Sequence, residues 1–356
     1  MSKTPKFRSL KPPNVSAGKA KDLEAEETGL KVQTTLRYIL KPSIGYKIQE
    51  PDKDDNSTLT LLCEGGRREI ELSIDAAGQS FFEALTTVGV TSDAEFFEFF
   101  RENNLIIAKA TAEKLLEHDH MQHRSYLYYM EMPDAPDLKT LENTLSTARV
   151  TIIGLGGIGG NVAQALVRSG IRDLALIDPD VVEDSNLNRQ SAFTKKDVGL
   201  PKTEALTNFL SEISSDLTLT PAQVTIDDMD PRFLSDRLVI NCADNPNIFA
   251  NTKALFDMNS TLQRVVIGGG YFCQQSFVGP LVERSDYERL TIRAQAEPTF
   301  SHMEKRGGNT FFTASIPASI LCNEVIKIIT QSDRVMISGK TLIFDWESYS
   351  FSELPL

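Results

Sequence analysis

The glycines Gly154, Gly156 and Gly159 stand in the spacing G-x-G-x-x-G, with Gly157 as a fourth, directly after the apolar run "RVTIIGLG". Such glycines permit a tight turn and a close backbone approach to a ligand. A helix that follows offers its free amides and positive dipole end to phosphate. Asp178 closes the next apolar run, "DLALIDPD", where a carboxylate can accept hydrogen bonds from ribose hydroxyls. Turn, helix and acid together imply a nucleotide site. They fit either the nicotinamide dinucleotide of a dehydrogenase or ATP. Three further polar stretches follow: "SNLNRQ" at 185–190, "GLPKTE" at 199–204 and "NCADNP" at 241–246. Asp180 and Asp184 lie beside the first of these; a surface turn accounts for both, with a second metal ligand as the sharper reading.

The elements that must hold these residues alternate. From 149 to 356, strand-like and helix-like runs succeed one another: helices at 160–169, 201–213 and near 247–257, with strands at "RLVINCAD" and "RVVIGGGY". That rhythm predicts an α/β domain with a Rossmann-like, doubly wound, mostly parallel sheet. Residues 1–33, rich in Lys, Pro, Ser and Glu, are expected to form a flexible lead. Residues 34–110 show period-two runs followed by helical spacing and predict a small β-plus-helix, winged-helix-like module. Its Phe81, Phe82, Phe96, Phe97, Phe99 and Phe100 read as core or as the lining of a groove. The polar stretch 111–148 reads as a connector. It carries His118, His120 and His123, whose clustering on a polar stretch suggests a solvated run more than a metal site.

Composition narrows the class. A net charge of −12 argues against a mainly electrostatic grip on nucleic acid. Cys63, Cys242, Cys273 and Cys322 form no C-x-x-C pair and read as reduced, packed thiols, which places the protein in the cytoplasm. No apolar run approaches the roughly 18 residues of a membrane span, so no membrane partner is expected.

With the three downstream stretches in this order, the chain resembles the ubiquitin-activating-enzyme-like (ThiF/MoeB-type) adenylating family, which includes bacterial activators of sulfur-carrier proteins. The resemblance implies ATP and Mg2+ as cofactors. It puts Asp178 on the ribose, Asn186, Arg189 and Lys202 around the triphosphate, and Asp244 on the magnesium ion. Charge of that kind suits the reaction, because a carboxylate attacking an α-phosphate approaches an anion. Arg189, Lys202 and Asp244 would then be the catalytic set. Many relatives hold zinc with two C-x-x-C pairs; none is present here, so no zinc is expected. Thioester-forming relatives use a cysteine past the later strands. Cys273 and Cys322 fall nearest, and both read as packing residues. The family also implies a homodimer in which an Arg before the first strand reaches the partner's ATP, a role that falls to Arg124.

Sulfur-carrier activators need no module ahead of the adenylation domain. Its presence resembles the family's peptide-modifying branch, the enzymes of microcin C and pantocin A synthesis. This implies a ribosomally made precursor peptide as partner, its leader held by strand addition. It further implies ATP-dependent activation of peptide carboxylates, glutamate side chains first among them, leading to cyclisation. Arg284, Arg289, Arg293, Lys305 and Arg306 of the crossover loop 283–310 could pair with such acids. Adenylation of a peptide C-terminus, adenylation of a sulfur-carrier protein, an inactive peptide-binding scaffold and a dehydrogenase are the alternatives.

Overall fold

The computed structural model describes residues 36–49, 56–63, 68–116, 121–130, 132, 134–272, 274–296 and 308–356. The expected lead at 1–33, and His118, His120, Cys273, Lys305 and Arg306, lie outside them. The chain divides into two compact units, Met1–His123 and Arg124–Leu356.

In the first unit, β1 (Tyr38–Leu40), β2 (Gly45–Gln49), β3 (Ser57–Cys63) and β4 (Arg68–Ile74) precede α1 (Ala76–Thr86), α2 (Phe97–Glu102), β5 (Ile106–Ala108) and α3 (Lys109–Leu116). Strands β2, β3 and β4 form an antiparallel sheet with β3 in the middle, and β1 pairs with β5. Alternation in β3 turns Leu59, Leu61 and Cys63 inward, where they meet Phe82, Leu85, Phe97 and Phe100. Helix α1 starts where the Asp75 carboxylate accepts the N–H groups of Ala77 and Gly78. Of the six phenylalanines read as a possible groove, Phe82, Phe97 and Phe100 are therefore core; Phe81 and Phe99 pack against it half-buried, and Phe96 is exposed.

The second unit holds α5 (Leu138–Thr147), which follows α4 (His123–Met130). Next come β6 (Arg149–Ile153), α6 (Gly159–Ser169), β7 (Asp173–Ile177), α7 (Lys202–Ile213), β8 (Thr218–Ala222), β9 (Leu238–Asn241), α8 (Ile248–Met258) and β10 (Arg264–Ile267). Beyond these lie β11 (Gly270–Phe272), β12 (Gln275–Val278), β13 (Leu281–Glu283), α9 (Tyr287–Ala296), α10 (Phe311–Ile329), β14 (Lys340–Asp345) and β15 (Ser350–Pro355). The six-stranded sheet has the order β13-β10-β9-β6-β7-β8, parallel throughout except for β13. β6, β7, β9 and β10 are apolar without alternation because both faces are covered. The chain leaves β6 toward β7 on one side and returns to β9 on the other, so a crevice opens between the carboxyl ends of β6 and β9. This is the expected Rossmann-like fold.

A second sheet, antiparallel in the order β11-β12-β14-β15, packs beside α10. α10 has the length and apolar composition of a membrane span, which corrects the sequence reading that no run approaches one. Its Ala314, Ala318, Leu321, Cys322 and Val325 are buried within the unit, and it packs on α6 and β12, as a core helix does.

Candidate nucleotide site

The turn after β6 is built on glycine by contact as well as by conformation. Gly154 has φ +84°, and a methyl group there would lie 2.7 Å from Ala243 N in the loop after β9. A methyl on Gly159 would lie 1.9 Å from Gly154 O, so the helix start closes directly onto the turn. Gly156 and Gly157 line the open side. A methyl on Gly156 would meet only Gln190 Nε2, at 3.9 Å, and one on Gly157 would meet Ala314 and the Arg189 stem. The glycine turn, the 185–190 loop, the loop after β9 and the start of α10 thus converge.

Asp178 is 4% exposed. Its Oδ2 accepts Leu155 N–H at 2.6 Å and its Oδ1 accepts Asp180 N–H at 2.9 Å, which fixes the carboxylate against the glycine turn. Burial pushes its pKa above the usual carboxylate range, with Lys202 and the two amides pulling the other way. Lys202, 7% exposed, donates to Asp180 Oδ2 at 2.8 Å, and its ammonium lies 3.9 Å from Asp178. It is brought there by backbone pairing of 180–182 with 199–202, where Lys202 N bonds Asp180 O and Val182 N bonds Leu200 O. Asp180, read as a surface-turn acid, is thereby the partner of the site's lysine.

Asn186 is buried in a short 3-10 turn, Asp184–Asn186, where its Oδ1 accepts Glu183 N–H at 3.1 Å. Its first task is to shape the loop. Arg189 donates through Nη1 to Ser185 O and Asn188 Oδ1, both at 2.9 Å, while its buried Nε has no partner among the described residues. Asp184 is exposed and pairs with Lys195 at 2.8 Å. Asp244 is exposed, three residues beyond the buried Asn241 and two beyond the half-buried Cys242, in the loop that touches Gly154. A single carboxylate at this place fits magnesium, which is commonly held by one or two carboxylates together with substrate phosphates. Arg124 is exposed on α4, and no interaction joins it to these residues.

Residues 133–356 match the ThiF family. The chain belongs to the ThiF family. Over 220 residues it is 37% identical to the molybdopterin-synthase adenylyltransferase of Salmonella typhimurium, covering 58% of this chain and 82% of that enzyme. In fold it is similar to Escherichia coli MccB, crystallised with AMPCPP and MccA: the TM-score is 0.66 at 21% identity, covering 90% of this chain and 96% of that one. It is also similar to PaaA, with a TM-score of 0.58 at 21% identity, covering 72% of this chain and 90% of that one. As a ThiF-type protein the chain is an ATP-dependent adenylating enzyme, which sets aside the dehydrogenase and inactive-scaffold readings.

The expected role of the crossover-loop arginines needs correction. Arg284 donates to Leu262 O at 2.7 Å and to Phe256 O and Asn259 O, closing the last carbonyls of α8, and it lies over the Phe256 ring. Arg293 stacks on Phe249, 5.2 Å from the ring centre. Both serve the fold, and of the loop's described cations only Arg289 stays largely exposed, 3.8 Å from Asp286. Cys322 is buried beside Ser169, and burial pushes its thiol up to about 12. Burial and Asp244 push the Cys242 thiol up to about 12 as well. Neither suits a nucleophile at neutral pH.

Sequence reasoning missed Asn161. Its Nδ2 donates to Gly157 O at 2.7 Å, and its Oδ1 accepts Ser191 Oγ–H at 2.6 Å and Gln164 Nε2–H at 2.9 Å. It joins the glycine turn to the loop that carries Arg189. A polar residue among the apolar positions of α6 was the available signal.

Proposed function

We propose that this ThiF-family enzyme adenylates a carboxylate of a ribosomally made peptide whose leader is held by the N-terminal unit. The carboxylate oxygen attacks the α-phosphate of ATP, the bond to the β-phosphate breaks, and pyrophosphate leaves. In this reading Arg189 and Lys202 offset charge on the phosphates. Lys202 must then exchange Asp180 for phosphate oxygens, and Asp178 accepts ribose hydroxyls. Asp244 would hold a magnesium ion, which when bound adds positive charge at the phosphates. Arg124 would act on a second copy's triphosphate in a homodimer.

The observation that carries the reading is the extent of the two kinds of likeness. The sulfur-carrier-type relative matches 58% of the chain, whereas the fold likeness to MccB, crystallised with MccA, extends over 90%. The N-terminal unit supports it physically. β2 and β4 are the edges of its three-stranded sheet, and every residue of β2 is exposed, so main-chain groups are open to an added strand. The 37% identity to a molybdopterin-synthase adenylyltransferase favours a sulfur-carrier protein as the second reading. For the acceptor, a glutamate side chain loses the support of Arg284 and Arg293, and a peptide C-terminus stands beside it.

ATP–pyrophosphate exchange tests the proposal. Exchange is expected with the precursor peptide encoded beside the gene, and its KM should rise at least tenfold when the leader is removed. C-terminal amidation and Glu→Gln replacement identify the acceptor by which of them abolishes exchange. Exchange with a sulfur-carrier protein and none with any peptide would overturn it.

A further inference from the structure

Gln190 is 5% exposed, and its Oε1 is buried without a hydrogen-bond partner among the described residues. The rest of the residue is firmly held. Its N–H donates to Asn186 O at 3.0 Å and its carbonyl accepts Phe193 N–H at 3.1 Å. The neighbouring Ser191 is tied through Asn161 to Gly157 O. The carboxamide lies against the glycine turn, its Nε2 3.9 Å from the place a methyl on Gly156 would occupy. A buried acceptor left unmet is costly, and in a native protein a water, an ion or a ligand meets it.

The missing group must be a donor, because a carbonyl oxygen only accepts. Phosphates at neutral pH offer none. On ATP the donors nearest the phosphates are the ribose hydroxyls, the adenine amine being farther along the molecule. Gly156 follows Leu155, whose N–H holds Asp178, the residue assigned to ribose. We infer that Gln190 is a specificity-determining residue that accepts a hydrogen bond from a ribose hydroxyl of ATP, opposite Asp178. The inference rests on the adenylation reading of this site and adds how the enzyme distinguishes ribonucleotides from deoxynucleotides.

Calorimetric titration of the full chain with ATP, 2′-deoxy-ATP and 3′-deoxy-ATP tests it, using wild type, Gln190→Leu and the nearly isosteric Gln190→Met. In the variants the Kd for ATP should rise about tenfold, the loss of one hydrogen bond in a buried site. One deoxynucleotide should bind wild type correspondingly more weakly, and that penalty should vanish in the variants. Because an unmet polar group is removed, the melting temperature without ligand should hold or rise. A structural glutamine behaves oppositely, lowering that temperature at constant nucleotide affinity. Equal deoxynucleotide penalties in wild type and variants, or an ATP Kd within twofold of wild type, would overturn the assignment. Wild type that binds no ATP under these conditions contradicts the nucleotide reading itself, a distinct result.

Discussion

Neighbouring glycines in one turn do different work. Gly159 is required by the fold, since any side chain there enters Gly154 O, whereas Gly156 faces open space apart from Gln190. Gly159→Ala should lower stability by about 1–3 kcal/mol through overpacking and abolish ATP binding. Gly156→Ala should stay within about 0.5 kcal/mol of wild type in denaturant unfolding while weakening ATP at least tenfold. Equal melting of the two variants would contradict this division. Asp178 gives a prediction in pH. Burial holds its proton more tightly in the folded chain than at the ordinary value of 3.8, so the cost of ionising it in place appears as pH rises through the raised pKa. Asp178→Asn escapes that cost. The stability of the variant minus that of wild type should therefore increase as pH rises from the ordinary value of 3.8, and a decrease over that rise would contradict the sign. At this scale the sequence named the converging residues but not their partners. The carboxylate of Asp178 and the ammonium of Lys202 meet through a backbone pairing of 180–182 with 199–202 that no local pattern announces.

The parallel elements were legible because burial on both faces writes itself as apolar runs. β6, β7, β9 and β10 fall within the expected strands, and α6, α7 and α8 within a residue or two of the expected helices. The antiparallel sheet of β11, β12, β14 and β15 was not legible. β14 shows no strict alternation of buried and exposed positions and β15 is exposed throughout, so no period-two pattern marks them. α10 carries Pro317 and the polar Asn323, Glu324 and Lys327, which interrupt its apolar run without ending the helix. Asn161 shows how one element steadies another: it holds the carbonyl of Gly157 and the hydroxyl of Ser191 at once. Asn161→Ala removes this tie. ATP affinity should fall about five- to tenfold, the worth of a hydrogen bond, and kcat at saturating ATP should fall less. Unchanged affinity in equilibrium binding would leave Asn161 a packing residue.

Over the whole chain, the ThiF domain supplies the adenylating chemistry, and the N-terminal unit is what sets this enzyme apart from relatives that match 58% of it. The proposal joins the two through the reaction: a leader bound on one unit raises the effective concentration of a weakly held carboxylate at the other. The central claim is that this carboxylate becomes an acyl adenylate. Phosphorylation of the same oxygen would use the same cations around the triphosphate. The measurement that separates them follows oxygen. Precursor peptide labelled with 18O in its carboxylates is incubated with enzyme, magnesium and ATP, and the nucleotide products are analysed by mass spectrometry. The account predicts AMP carrying one 18O, with unlabelled pyrophosphate. Unlabelled AMP, or ADP with the label in inorganic phosphate, would contradict it.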